Sequence, residues 1–207
     1  MTLYDVSLLI RPELAGWPGD TEFSQKWEMR LADGESVNLS GITISLHFGT
    51  HVDAPLHFAE AGKTIAELPL SSFIGPAHLL DVQGHSVISV ELLRELDFAD
   101  TPRLLLRTGG WQDYSQFPER IPVIHDEVPA YLQAQGVCLL GLDVPSVDQI
   151  DSKDLPIHHA LHQAGILFIE SLQLSEPPPG RYQLTALPLK LANADASPVR
   201  AILESLD

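Results

Sequence analysis

His47, His51 and Asp53 place three metal-ligating side chains within seven residues, and His57 follows four residues later. Imidazole and carboxylate donors together suit divalent cations, and a bound divalent ion can activate water. In an extended strand, residues 47, 49, 51 and 53 project to one face. His47, His51 and Asp53 would then point the same way, with Gly49 leaving a gap where a bulkier side chain would block an ion. The four-residue spacing also fits a helix. The helical zinc motif, however, needs a glutamate directly after its first histidine, and Phe48 stands there. Gly49, Thr50, Val52 and Pro55 disfavour a helix as well. The expected element is therefore a strand from Gly41 to Asp53. Ile42, Ile44 and Leu46 would occupy its buried face, and Thr43, Ser45 and His47 its polar face. A turn at Ala54-Pro55 would return His57 to the same site.

A second cluster lies far along the chain, in Pro156-Ile157-His158-His159-Ala160-Leu161-His162. Pro156 suits a helix start, with Asp151 or Asp154 as the upstream cap. His158 and His162 would share one helical face, and His159 would point elsewhere. Glu170 closes the apolar run Ile166-Leu167-Phe168-Ile169. A buried carboxylate is costly unless it is paired or binds a cation. The alternative is that Glu170 emerges at the strand end and meets solvent, Arg107 or Arg200.

These residues need a scaffold. Strands are expected at Leu3 to Leu8, Gly41 to Asp53, Ala77 to Val82, Arg103 to Arg107, Val137 to Leu142, Ile166 to Glu170, Tyr182 to Leu189 and near Val199 to Leu203. Several are continuous apolar runs, as in strands covered on both faces. Helices are expected at Val90 to Leu96, Asp126 to Gln135 and Ile157 to Ala164. This mixture defines an α/β fold rich in strand. Glu176-Pro177-Pro178-Pro179-Gly180 reads as a loop inside one domain spanning residues 1–207, because strand-like sequence follows it.

Composition excludes several classes. Twelve basic residues against 28 acidic ones give a net charge of −16, which disfavours nucleic acid and anionic membrane surfaces as partners. No apolar run is long enough to span a bilayer, and Met1-Thr2-Leu3-Tyr4-Asp5 lacks a signal-peptide pattern. The single cysteine, Cys138, sits in an apolar run and is expected to be a buried core thiol. With no internal disulfide possible, a cytoplasmic location is expected. Gly109-Gly110 is only a turn signal, so a nucleotide-binding fold lacks its phosphate-cradling motif.

His47-x-Gly49-Thr50-His51-x-Asp53-x-Pro55-x-His57 resembles the signature of the cyclase family of metal-dependent hydrolases. Three further stretches make the chain most similar to the bacterial kynurenine formamidase subgroup. They are Trp17-Pro18-Gly19-Asp20-Thr21, Asp143-x-Pro145-Ser146-Val147-Asp148 with the His158-His159 pair, and the C-terminal run through Ala194-Asp195-Ala196-Ser197-Pro198-Val199-Arg200. The resemblance covers nearly the whole chain. It implies a swivelling β/α/β fold and a binuclear site, usually holding zinc, with manganese as the alternative. His47, His51 and Asp53 would hold one ion. Asp53 would bridge to a second ion bound by His158, and Glu170 would contact both. His158 fits this pattern better than His159 because it stands twelve residues before Glu170. Trp17 matches a position lining the substrate pocket, although it could equally pack over a Pro-Gly turn. The resemblance further implies a homodimer that hydrolyses N-formyl-L-kynurenine to L-kynurenine and formate, in tryptophan breakdown. His57, outside the ligand pattern, is the expected proton shuttle. The alternatives are a family member acting on a cyclic amide such as isatin, or a metal-binding protein without activity.

Overall fold

Apolar runs, rather than alternating patterns, build the centre of this chain. The computed structural model describes residues 1–206. Its strands are β1 (Leu3–Asp5), β2 (Ser24–Met29), β3 (Leu39–Thr43), β4 (His51–Asp53), β5 (Ile74–Asp81), β6 (Val87–Ile88), β7 (Arg103–Arg107), β8 (Val123–Ile124), β9 (Leu139–Leu142), β10 (Leu167–Glu170), β11 (Gly180–Thr185), β12 (Ala196–Pro198) and β13 (Ile202–Ser205). The helices are α1 (Val90–Leu93), α2 (Val128–Ala134) and α3 (Pro156–Gln163). Nine strands form one mixed sheet in the order β1-β13-β11-β5-β7-β9-β10-β4-β12. Its centre, β5-β7-β9-β10, is parallel, and antiparallel strands extend both edges. This is the strand-rich α/β fold expected from the sequence.

Leu104 and Leu106 of β7 and Leu140 and Leu142 of β9 pack into one core with the helices. Leu105 and Leu139 pack into a second core on the opposite face, with Val52, Ile169 and Leu203. Both faces of the central strands are therefore covered, which explains why they lack alternation.

The expected strand from Gly41 to Asp53 does not exist as one element. It breaks into β3 and β4, separated by turns over residues 44–50. β3 leaves the main sheet and pairs only with β2, as a two-stranded ribbon. Ile42, assigned above to a buried face, is 60% exposed there. Gly49 is the reason for the break. Its φ of +72° is a left-handed turn conformation that extended backbone does not use. Cys138 is only partly buried, lying against the second core.

Candidate metal centre

The centre forms where three short strands meet. β4 lies between β10 and β12, with Glu170 opposite His51 and Ala196 opposite Asp53. Directly opposed residues share a face, so this register alone brings His51 and Glu170 together. The turn before β4 carries His47, and the single turn Pro55–His57 after it carries His57. α3, which connects β9 to β10, supplies His158.

Asp53 is the hub. Its Oδ1 lies 2.9 Å from His47 Nδ1 and 3.3 Å from His51 Nε2, and its Oδ2 lies 3.7 Å from His158 Nε2. Glu170 Oε2 is 3.4 Å from His51 Nε2, and its Oε1 is 3.9 Å from His158 Nε2. His51, Asp53, His158 and Glu170 are all buried, and His47 is partly so. Asp53 Oδ1 forms no hydrogen bond of acceptable geometry despite its two close ring nitrogens. A buried carboxylate oxygen in that state is a natural cation ligand. Three donor groups could each surround an ion: His47/His51/Asp53 and Asp53/His158/Glu170, which share Asp53 and are the more buried, and His47/His57/Asp195 at the cavity edge. The residues present thus suit the binding of divalent cations.

Each ring is held from behind. His51 Nδ1 donates to the Gly49 carbonyl at 2.9 Å. A carbonyl only accepts, so this bond places the proton on Nδ1 and leaves Nε2 to face the carboxylates. Gly49 acts through this carbonyl and not as a gap in the ligand face. A Cβ added to it would meet the Ile10 and Leu14 side chains at 3.4 and 3.6 Å, away from the centre. His158 Nδ1 donates to Asp148 Oδ2 at 2.6 Å. The Asp148 carboxylate also accepts from the Ile157 and His158 backbone N–H groups at 3.0 Å each. Asp148 therefore caps α3 and aims its histidine at once, in place of Asp151 or Asp154. Glu170 Oε1 accepts from Val147 N at 2.9 Å. Arg107 and Arg200 are engaged elsewhere, with Asp81 and Asp5, so neither pairs with Glu170.

The charges reinforce one another. Burial alone would lower the His51 and His158 rings, but Asp53 and Glu170 beside His51, and Asp148 and Asp53 beside His158, raise both to about 10. Burial alone would raise the Asp53 carboxyl, yet His158, His47 and His51 hold it well below the usual aspartate range.

The centre opens into a cavity of about 560 Å³, the size of a small-molecule site. Trp17, Trp111 and Phe117 line it, with Trp17 and Phe117 edge-to-face at 5.1 Å. The Trp17 backbone carbonyl also closes the Pro18-Gly19 turn by accepting Asp20 N–H at 3.1 Å. His57 sits at the cavity with Nε2 4.0 Å from Asp53 Oδ2. Of the adjacent histidines, His158 enters the centre, while His159 and His162 pack edge-to-face against Phe58 outside it, with centroids at 5.5 and 5.7 Å. Residue-level reading missed Asp148, Asp195, Trp111 and Phe117. Asp195 Oδ2 lies 3.0 Å from His47 Nε2, across 148 positions of sequence, a separation at which periodicity carries no signal.

Fold and site together define an α/β protein with a buried histidine–carboxylate centre suited to divalent cations. The family model described as "Putative cyclase" matches residues 4–149. Two proteins named kynurenine formamidase, from Geobacillus thermodenitrificans and Salinibacter ruber, are each 45% identical to this chain, covering 98% of it and 97% of their own length. A solved structure from Bacillus stearothermophilus, described as a predicted metal-dependent hydrolase, superposes with a TM-score of 0.81 at 29% identity, covering 98% of this chain and 97% of that one. The chain belongs to the cyclase family.

Proposed function

We propose that this chain is a metal-dependent amidohydrolase that converts N-formyl-L-kynurenine and water to L-kynurenine and formate, in tryptophan catabolism. The observation that carries the reading is the convergence of His47, His51, Asp53, His158 and Glu170 on the floor of an aromatic-walled cavity. Full-length relatives named for this activity support the substrate. His47, His51 and Asp53 would hold one ion and Asp53, His158 and Glu170 the other, zinc in both cases, with manganese as the alternative. Bound there, the ions would lower the pKa of water toward neutrality and polarise the formyl oxygen.

The chain's own residues do the rest. Trp17 and Phe117 offer ring faces and edges to an aryl group. An anilide ion is a poor leaving group, so its nitrogen must receive a proton as the C–N bond breaks. His57, whose Nε2 lies 4.0 Å from Asp53 Oδ2 at the cavity, would deliver it.

The protein would act in the cytoplasm as a single catalytic domain and as a homodimer. The β2–β3 ribbon exposes Trp27 and Ile42 on one face outside the main sheet, apolar surface that a second copy would cover. Among the described residues no helix is long and apolar enough to cross a membrane.

The test is to incubate zinc-loaded protein with N-formyl-L-kynurenine and follow kynurenine absorbance, with a chelator-treated control. Chelator-sensitive turnover supports the reading. Bound zinc without turnover sinks the substrate assignment, and isatin would be tried next.

A further inference from the structure

We propose that Asp195 is the positioning residue that sets the orientation and tautomer of His57; this rests on the formamidase reading above. Asp195 directly precedes β12, whose Ala196 pairs with Asp53. Its carbonyl accepts the Ala54 N–H at 2.8 Å, and the Ala194 carbonyl accepts the Ile65 N–H at 3.0 Å. These two bonds fasten Asp195 to both ends of the segment that carries His57. The side chain then reaches two rings with one oxygen. Oδ2 lies 3.0 Å from His47 Nε2 and 3.6 Å from His57 Nδ1, and the two ring centroids are 4.1 Å apart.

A carboxylate can only accept, so Asp195 favours the proton on His57 Nδ1. Nε2 is then the nitrogen facing Asp53 and the cavity. The 3.6 Å separation is just beyond hydrogen-bond range, and catalytic hydrogen bonds are often this long before substrate closes on them. The His57 side chain is one-third exposed. Without Asp195 the ring would be free to turn or to take the other tautomer, leaving Nε2 misaligned. The proton balance is simple. Nε2 takes a proton from the attacking water and returns it to the amine nitrogen as the C–N electron pair moves there. Nδ1 keeps its proton and Asp195 stays ionised throughout, as in other carboxylate-oriented imidazoles.

Asp195→Asn removes the charge at constant shape. It would be assayed at saturating zinc, with metal content measured, on formanilide and on p-nitroformanilide. A nitro-substituted amine leaves with little protonation, so it needs His57 less. The expected result is a fall in kcat of about 10- to 100-fold on formanilide, a much smaller fall on the nitro compound, and little change in KM. In a His57→Ala background, Asp195→Asn would add no further loss. A readout independent of turnover is the ¹⁵N spectrum of histidine-labelled, zinc-loaded protein. It should show His57 protonated at Nδ1 in the parent and a mixture of tautomers in Asp195→Asn. Equal losses on both substrates, an additive loss in the double variant, or an unchanged His57 tautomer would each overturn the proposal. If the parent hydrolyses neither formanilides nor N-formyl-L-kynurenine, the formamidase reading fails instead, and the tautomer measurement still decides Asp195.

Discussion

Removal of the Asp148 carboxylate should loosen α3 and misdirect His158 in one step. Asp148 accepts from Ile157 N, His158 N and His158 Nδ1, and all of these groups are buried. Loss of a helix cap costs about 0.5–2 kcal/mol. Loss of a charge-assisted hydrogen bond costs about 1.5–3 kcal/mol. Asp148→Ala should therefore destabilise the metal-free protein by about 2–5 kcal/mol, or about 2–4 °C in Tm for each kcal/mol at this chain length. Asp148→Asn keeps one acceptor oxygen and should lose less. Both variants should bind zinc about 10- to 100-fold more weakly, because the His158 ring is no longer aimed. Chemical denaturation in the presence of chelator gives the first number, and competition with a zinc indicator gives the second. The pH dependence has a definite sign. Burial alone would raise the Asp148 carboxyl, but the His158 ring and the Ile157 and His158 backbones hold it below the usual range. A folded pKa below the unfolded value of about 3.9 stabilises fully above that value and is lost as the pH falls through the folded one. The Asp148→Asn penalty should thus be constant near neutrality and shrink in acid. Wild-type stability together with wild-type zinc affinity in Asp148→Ala would refute the account.

His57→Ala should retain zinc and lose about a hundred- to ten-thousand-fold in turnover; parental kcat would remove His57 from the proton path. Trp17→Ala should raise KM for N-formyl-L-kynurenine with zinc content unchanged, because Trp17 lines the cavity without touching the centre; an unchanged KM would place the aryl ring elsewhere. Gly62→Ala should destabilise by about 1–3 kcal/mol and also slow turnover. Its Cβ would fall 2.3 Å from the Pro55 carbonyl carbon, in the backbone that carries His57, and wild-type stability would show that this contact relaxes freely. Metal uptake near neutral pH should release protons, because His51 and His158 are raised to about 10 without metal and bind ions only as neutral rings. Calorimetry in two buffers of different ionisation enthalpy measures this, and a buffer-independent heat would contradict it.

Local chemistry was legible in the chain by itself. The runs Arg103–Arg107 and Leu139–Leu142 announce buried strands because unbroken apolar sequence has few other uses, and both stand in the sheet. The donor types of His47, His51, Asp53, His158 and Glu170 mark a cation site because histidine and carboxylate so spaced are costly to bury otherwise. What the sequence left open was direction and partnership. A strand through His47 looked as good as the actual break, because Gly49 supports either a gap in a face or a left-handed turn. The tertiary structure decides between them by packing Ile10 and Leu14 where a side chain would project. The choice of His158 over His159 depends on which side of α3 meets β10, and the choice of Asp148 as cap depends on where its loop folds back. Asp195 joins His47 and His57 only because β12 pairs beside β4. Such contacts join residues far apart in the chain, and no local spacing encodes them; the register of three short strands does.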